Sequence, residues 1–185
     1  MFSLATLWLP MLLSSIAVFI ASSVIHMVLP WHKGDFQALP NEDKLRDAMR
    51  ALNVAPGDYC LPRPNSMEEM KTPAFQSKME QGPVVTMTVR PNGMPNMGRS
   101  LGSWFVFSLV VSLIAGYVAQ VALPHDAPYL RVFQVSGTVA FAGYGLALWP
   151  LSIWYGRSWS TTVRSNVDAL VYACLTAGCF GWLWH

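Results

Sequence analysis

Asp168 is the residue whose position most invites chemistry, because an uncharged stretch runs from Ala169 to His185 directly behind it. A carboxylate inside a membrane helix costs roughly 3 kcal/mol unless it is paired, so it has a partner and often a task. As a proton acceptor or cation ligand, Asp168 would face a polar pocket. Arg164 stands four residues earlier on the same helical face, and the competing expectation is an intrahelical Arg164–Asp168 pair at the membrane surface.

His26 comes next, four residues before Pro30 and six before His32. An imidazole there could ligate a metal or haem, or titrate near neutral pH. Six residues across a proline is not the i, i+4 spacing that sets two imidazoles on one helical face, so the metal signal from the candidates His26 and His32 is weak. The structural expectation for His26 is a histidine gaining from the dipole at a helix C-terminus. His125 and Asp126 form a second polar pair, read as solvated loop, with an outer metal site if His185 joins them. Motifs of the HExxH, GxSxG, GxxxxGK[ST] and GxGxxG kinds are absent from the sequence. Met67-Met70 and Met94-Met97 are too short a repetition to argue for copper.

These residues need elements to hold them, and composition says which. Of the 185 residues, 53% are hydrophobic and 12% charged, with a mean hydropathy of +0.35; a soluble domain carries about twice that charged fraction. Asp, Glu, Lys and Arg are missing from 1–31, 101–125, 132–156 and 169–185. About 20 apolar residues span a hydrocarbon core of roughly 30 Å, which the first three windows satisfy directly. The fourth reaches that length only if its helix starts near Thr162 and takes in Asp168. The fold class expected is an all-α membrane protein: four transmembrane helices, about 1–30, 101–123, 132–154 and 162–184, with a small α+β cytoplasmic insertion, 31–100, between the first and second.

Eleven of the twelve Lys and Arg residues fall in 31–100 or the loop 154–165, and only Arg131 lies on the other side. Cytoplasmic loops are enriched in these residues, so 31–100 is expected to be cytoplasmic and both termini external, in an inner membrane of bacterial type. Trp8, Trp182 and Trp184 would then mark the outer boundary, and Trp31, Trp104, Trp154, Tyr155 and Trp159 the inner one, as an aromatic belt. The first span lacks a basic n-region and exceeds a signal core in length, so it reads as a retained helix, although Ala21-Ser22-Ser23 mimics a cleavage site. The three cysteines form no CxxC pair and read as free thiols.

Within 31–100, Pro40-Asn41-Glu42-Asp43 opens a helix reaching about Asn53, with Leu45, Met49 and Leu52 as one apolar stripe. Tyr59-Cys60-Leu61 reads as a short strand, Asn65-Ser66 as a cap, Thr72-Pro73 as the start of a helix to Gln81, and Val84 to Arg90 as the best strand. So small a segment with few large apolar residues is expected to lean on the bilayer or a partner. Its eight acids and nine bases nearly cancel, which argues against a polybasic lipid patch and, with a net charge of +2, against nucleic acid.

Small residues recur at helical spacing in the spans: Ser108, Ser112 and Gly116; Ser136, Ala140, Gly143 and Ala147; Ala169, Ala173, Ala177 and Gly181. Such stripes let helices approach closely, within one chain or between subunits. The functional expectation is an accessory or structural subunit of a larger membrane complex, bound to other membrane subunits or to itself. The alternative is a small homo-oligomeric channel or transporter using Asp168, and the third a membrane-embedded metal or haem site using His26. No cofactor is expected under the first reading.

Overall fold

The computed structural model describes residues 4–184. The chain divides into two units, one formed by the two ends (1–36 and 96–185) and one by the middle (37–95). Residues 31–36 and 96–100, at the two ends of the 31–100 segment, cluster with the helices.

The first unit is a four-helix bundle. Its helices are α1 (Trp8–Ser23), α5 (Met97–Ala122), α6 (Tyr129–Gly145) and α8 (Trp159–Trp182), and a short α7 (Trp149–Tyr155) precedes α8. Packing runs in a ring, α1 on α5, α5 on α6, α6 on α8 and α8 back on α1. Three helical stretches are long and apolar enough to cross a membrane: Trp8–Val28, Met97–Ala122 and Tyr129–Tyr155. The fourth helix, α8, has 24 residues, about 36 Å at 1.5 Å each. Arg164, Asp168 and several Ser, Thr and Asn residues make its first half polar.

Two helices deviate from the expected spans for covalent reasons. Pro150 lacks the N–H that would continue the α6 ladder, so the chain tightens at Leu146–Leu148 and restarts as α7. After Ser23, α1 widens into a π turn, Val24–Val28, closed by Leu29 N–H donating to Val24 O at 3.1 Å. Leu29, restricted by the following proline, is extended (φ −80°, ψ 144°), and Pro30–His32 forms a tight turn.

Small and polar residues share the bundle interior with apolar ones such as Val18, Val132, Phe180 and Trp184, while large apolar side chains cover its exterior. Ser14, Ser15, Ser108, Ser112 and Ser136 are fully buried, whereas Ile20, Val106, Tyr117, Val121 and Leu170 are more than half exposed. Ser14 and Ser112 hydroxyls join α1 to α5 at 2.8 Å, and Trp104 Nε1 donates to Ser22 Oγ at 2.8 Å. Close approach explains the small residues. A Cβ on Gly116 would lie 2.9 Å from the Phe180 ring, one on Gly181 2.7 Å from Tyr129, and one on Gly143 3.1 Å from Val111. Ala140, Ala173 and Ala177 are buried, while Ala147 faces outward. Trp184 departs from its expected place in an aromatic belt: it is 1% exposed, packs with Leu7, Ala119, Val132 and Phe180, and donates Nε1–H to Pro124 O.

The middle unit is α+β. Helix α2 (Glu42–Ala51) leads to β1 (Gly57–Leu61), then α3 (Met67–Met70), α4 (Pro73–Gln81) and β2 (Val85–Val89). The strands pair antiparallel, Gly57 opposite Val89 and Leu61 opposite Val85. Ser66 Oγ accepts from Glu69 N–H and Thr72 Oγ1 from Phe75 N–H, so each short helix begins on a side-chain cap. Asn65 closes the first of these ends by donating its own N–H to Glu69 Oε2 at 2.7 Å.

Candidate metal or proton site

The turn after α1 and the polar first half of α8 bring four ionisable side chains together. His32 lies between two carboxylates, with Nδ1 2.6 Å from Asp35 Oδ2 and Nε2 2.7 Å from Asp168 Oδ2. Arg164 Nη2 holds the other Asp35 oxygen at 2.7 Å. Asp168 is 5% exposed, and the Asp35 and His32 side chains are 9% and 14% exposed. Burial works to raise the Asp35 carboxyl, but the His32 hydrogen bond and the charges of Arg164 and His32 outweigh it and hold it below the usual carboxylate range.

The expected Arg164–Asp168 pair is not formed. Arg164 turns instead to Asp35, and Asp168 takes an imidazole 136 residues away in the chain. A buried carboxylate gains more from a rigid ring aimed at it than from a long side chain that also reaches the half-solvated loop. The structure also brings the metal candidates His26 and His32 together, which their spacing in the sequence did not indicate. Their rings stack, with centroids 4.4 Å apart and planes within 10°. The wide Val24–Val28 turn and the reversal at Leu29-Pro30 fold the chain back by one ring's thickness, a geometry that counting along a regular helix cannot reproduce.

Each of the two short N···O contacts of His32 takes one hydrogen, carried by the ring nitrogen or by the carboxyl facing it. His26 Nδ1 lies 3.0 Å from Ser22 O, and a carbonyl only accepts, so Nδ1 carries the hydrogen and, in the neutral ring, Nε2 has the lone pair.

One ring nitrogen from each histidine and a carboxylate oxygen of Asp168 lie within 4.8 Å of one another. Such a set of donors suits a divalent transition ion. Haem fits less well, because 4.4 Å between the rings leaves no room for a macrocycle with an imidazole on each face. His26 is exposed and borders a cavity of about 460 Å³ that Ser22, Met27, Ser100 and Trp104 also line. Tyr172, one turn beyond Asp168, buries a hydroxyl with no hydrogen-bond partner among the described residues.

Asp35 is the residue that sequence reasoning missed. The signal was its place three residues after His32, in the polar turn that ends the first apolar stretch. His125 lies on the loop between α5 and α6, and the outer site that would include His185 falls outside the described residues. Compared with protein-family models, with curated proteins and with solved structures, the chain matches none of them significantly.

Proposed function

We propose that the chain is a four-span integral membrane protein that serves as an accessory or structural subunit of a larger membrane assembly, with both termini outside and residues 31–100 in the cytoplasm. The polarity of the bundle supports the membrane placement: serines inside and large apolar residues outside are the reverse of a protein packed in water. The distribution of Lys and Arg supports the orientation.

One observation carries the subunit reading. Residues 37–95 have regular elements but almost no interior. Phe75 is the one buried residue of this unit, while Leu45, Leu52, Leu61, Met67 and Val84 are between 46% and 75% exposed. Each such side chain gains about 1.5–3 kcal/mol when fully buried, and a unit that leaves so many uncovered is stabilised by a surface that another chain supplies. The unit's near-neutral charge fits a protein surface better than an anionic headgroup layer.

The test is extraction of the full chain from its native membranes in mild detergent, read by native mass spectrometry with and without Leu45→Glu plus Leu52→Glu. A heteromeric complex of fixed stoichiometry, lost in the double variant while membrane insertion and the bundle's thermal midpoint persist, is the expected result. A homogeneous monomer would overturn the proposal. A homo-oligomer alone would also overturn it, in favour of a channel or transporter using Asp168.

A further inference from the structure

We propose that His26, His32 and Asp168 form a binding site for one divalent first-row transition-metal ion of the zinc or iron(II) class, at the end of the bundle where α1 gives way to the Pro30–His32 turn. The inference uses the bundle alone and does not depend on whether the chain is a subunit. Three ligand atoms within 4.8 Å of one another nearly match a tetrahedral set, in which bonds of about 2.0–2.2 Å place donors about 3.3 Å apart. His32 Nε2 and Asp168 Oδ2 start closer than that, at 2.7 Å. The ion takes the place of the proton between them, the pair opens by about 0.6 Å, and His26 tilts out of its stack to bring Nε2 in.

The surroundings of the ligands argue for this more strongly than the ligands themselves. A ligating imidazole nearly always donates its other N–H to a carboxylate or carbonyl, which fixes the tautomer and turns the lone pair toward the metal. Both histidines do this: His32 through Asp35 at 2.6 Å and His26 through Ser22 O at 3.0 Å. Arg164 in turn fixes Asp35 at 2.7 Å. The His26 bond to Ser22 O is also what a helix-end histidine makes, so the Asp35 and Arg164 supports of His32 carry the weight of this argument. Asp35 and Asp168 supply two negative charges against one from Arg164, so the cluster accepts a dication without accumulating much positive charge. Imidazole and carboxylate donors without thiolate select zinc, iron, cobalt or nickel over copper(I), and a ligand set half nitrogen or more argues against magnesium and calcium. With three protein ligands, a fourth position remains toward the cavity at His26. That pattern is typical of sites that bind a water or a small anion on the metal.

The experiment uses the full-length protein in mild detergent, stripped with EDTA and then titrated with Zn²⁺ and, as a visible probe, Co²⁺. One Zn²⁺ per chain is expected to remain through gel filtration, and Co²⁺ should give the absorption bands of a four- or five-coordinate nitrogen and oxygen site. His26→Ala and Asp168→Asn should each weaken Zn²⁺ binding by at least about tenfold. Asp35→Asn should weaken it about 10–100-fold with the stoichiometry unchanged. His26→Ala leaves the His32 pairs intact and so reports binding even if an Asp168 variant fails to fold. Substoichiometric Zn²⁺, or full affinity retained in His26→Ala, would overturn the proposal.

Discussion

The exchange of partners at Asp168 can be measured as a coupling energy. Asp168 and His32 are both mostly buried, at 6% and 14% side-chain exposure, so removing either strands the other. Breaking a buried pair from one side costs about 3–5 kcal/mol, because the remaining charge or polar group has lost its partner and cannot recover water. Removing both sides leaves a cavity and the Asp35 oxygen that His32 held, but the His32 single variant strands that oxygen equally, so its cost cancels in the cycle. The double variant His32→Ala plus Asp168→Ala should therefore cost about 2 kcal/mol less than the sum of the single variants, within the usual range for residues in direct contact. The same cycle on Arg164 and Asp168 should return no more than the 0.2–0.5 kcal/mol of an exposed i, i+4 pair, whereas Arg164 with Asp35 should couple by more than 1 kcal/mol. The assay is reversible unfolding in mixed detergent micelles at neutral pH with EDTA present, so that bound metal cannot add its own stabilisation. Additive effects of His32→Ala and Asp168→Ala, or strong coupling between Arg164 and Asp168, would refute the arrangement described here.

Three other perturbations have definite outcomes. Gly116→Ala would press a methyl group to 2.9 Å from the ring of Phe180, which is fully buried and cannot swing away. Overpacking of about 1–3 kcal/mol should exceed the roughly 1 kcal/mol gained in helix propensity, so the thermal midpoint falls, while Gly102→Ala, with nothing within 4 Å, raises it. Cys60 is exposed in the 37–95 unit; with Cys174 and Cys179 replaced by serine, a membrane-impermeant thiol reagent should label it in inverted vesicles and not in intact cells, and the opposite pattern would reverse the orientation. Glu69 is held below the usual carboxylate range, first by the Asn65 backbone N–H and then by the Asn65 side chain. A depressed carboxyl contributes stability above its unfolded pKa and loses it as pH falls through the lower folded value, so the protection of the Asn65 amide, its exchange rate taken relative to the intrinsic rate at each pH, should fall in acid, an effect that Glu69→Gln removes.

The helices were legible wherever the signal was local. Thr72-Pro73 begins α4 where a cap and an N1 proline belong, and the alternating Val85–Val89 segment is a strand paired with Gly57–Leu61. Asn41 shows how far such reading goes. It precedes α2 as expected, yet adopts the left-handed conformation (φ 57°, ψ 43°), which Asn tolerates better than most residues, and makes no side-chain cap. The α6 break was also written locally, in Pro150, but charge-free length overrode it in the reading of one continuous span.

The cluster at Asp168 was not legible, for a different physical reason. A sequence exposes i, i+3 and i, i+4 neighbours, so it offered Arg164 to Asp168 and Asp35 to His32, but not His32 to Asp168. The true partner lies across the bundle, reached because α1 packs on α8 and because Leu29-Pro30 reverses the chain just where α1 ends. Local pairing is cheap in entropy but weak when exposed, whereas a pairing between elements becomes strong once helix packing has already fixed both backbones. His32 approaches Asp168 on a tight turn whose position is set by the α1 helix, so little further ordering is needed to make the 2.7 Å contact. Arg164, freed from Asp168, then serves Asp35, and the resulting chain of contacts orients the His32 ring, while Ser22 O orients His26. Two acids and two histidines that lie apart in the sequence thus gather into one cluster in the fold, which is why a metal titration is more informative here than any motif search.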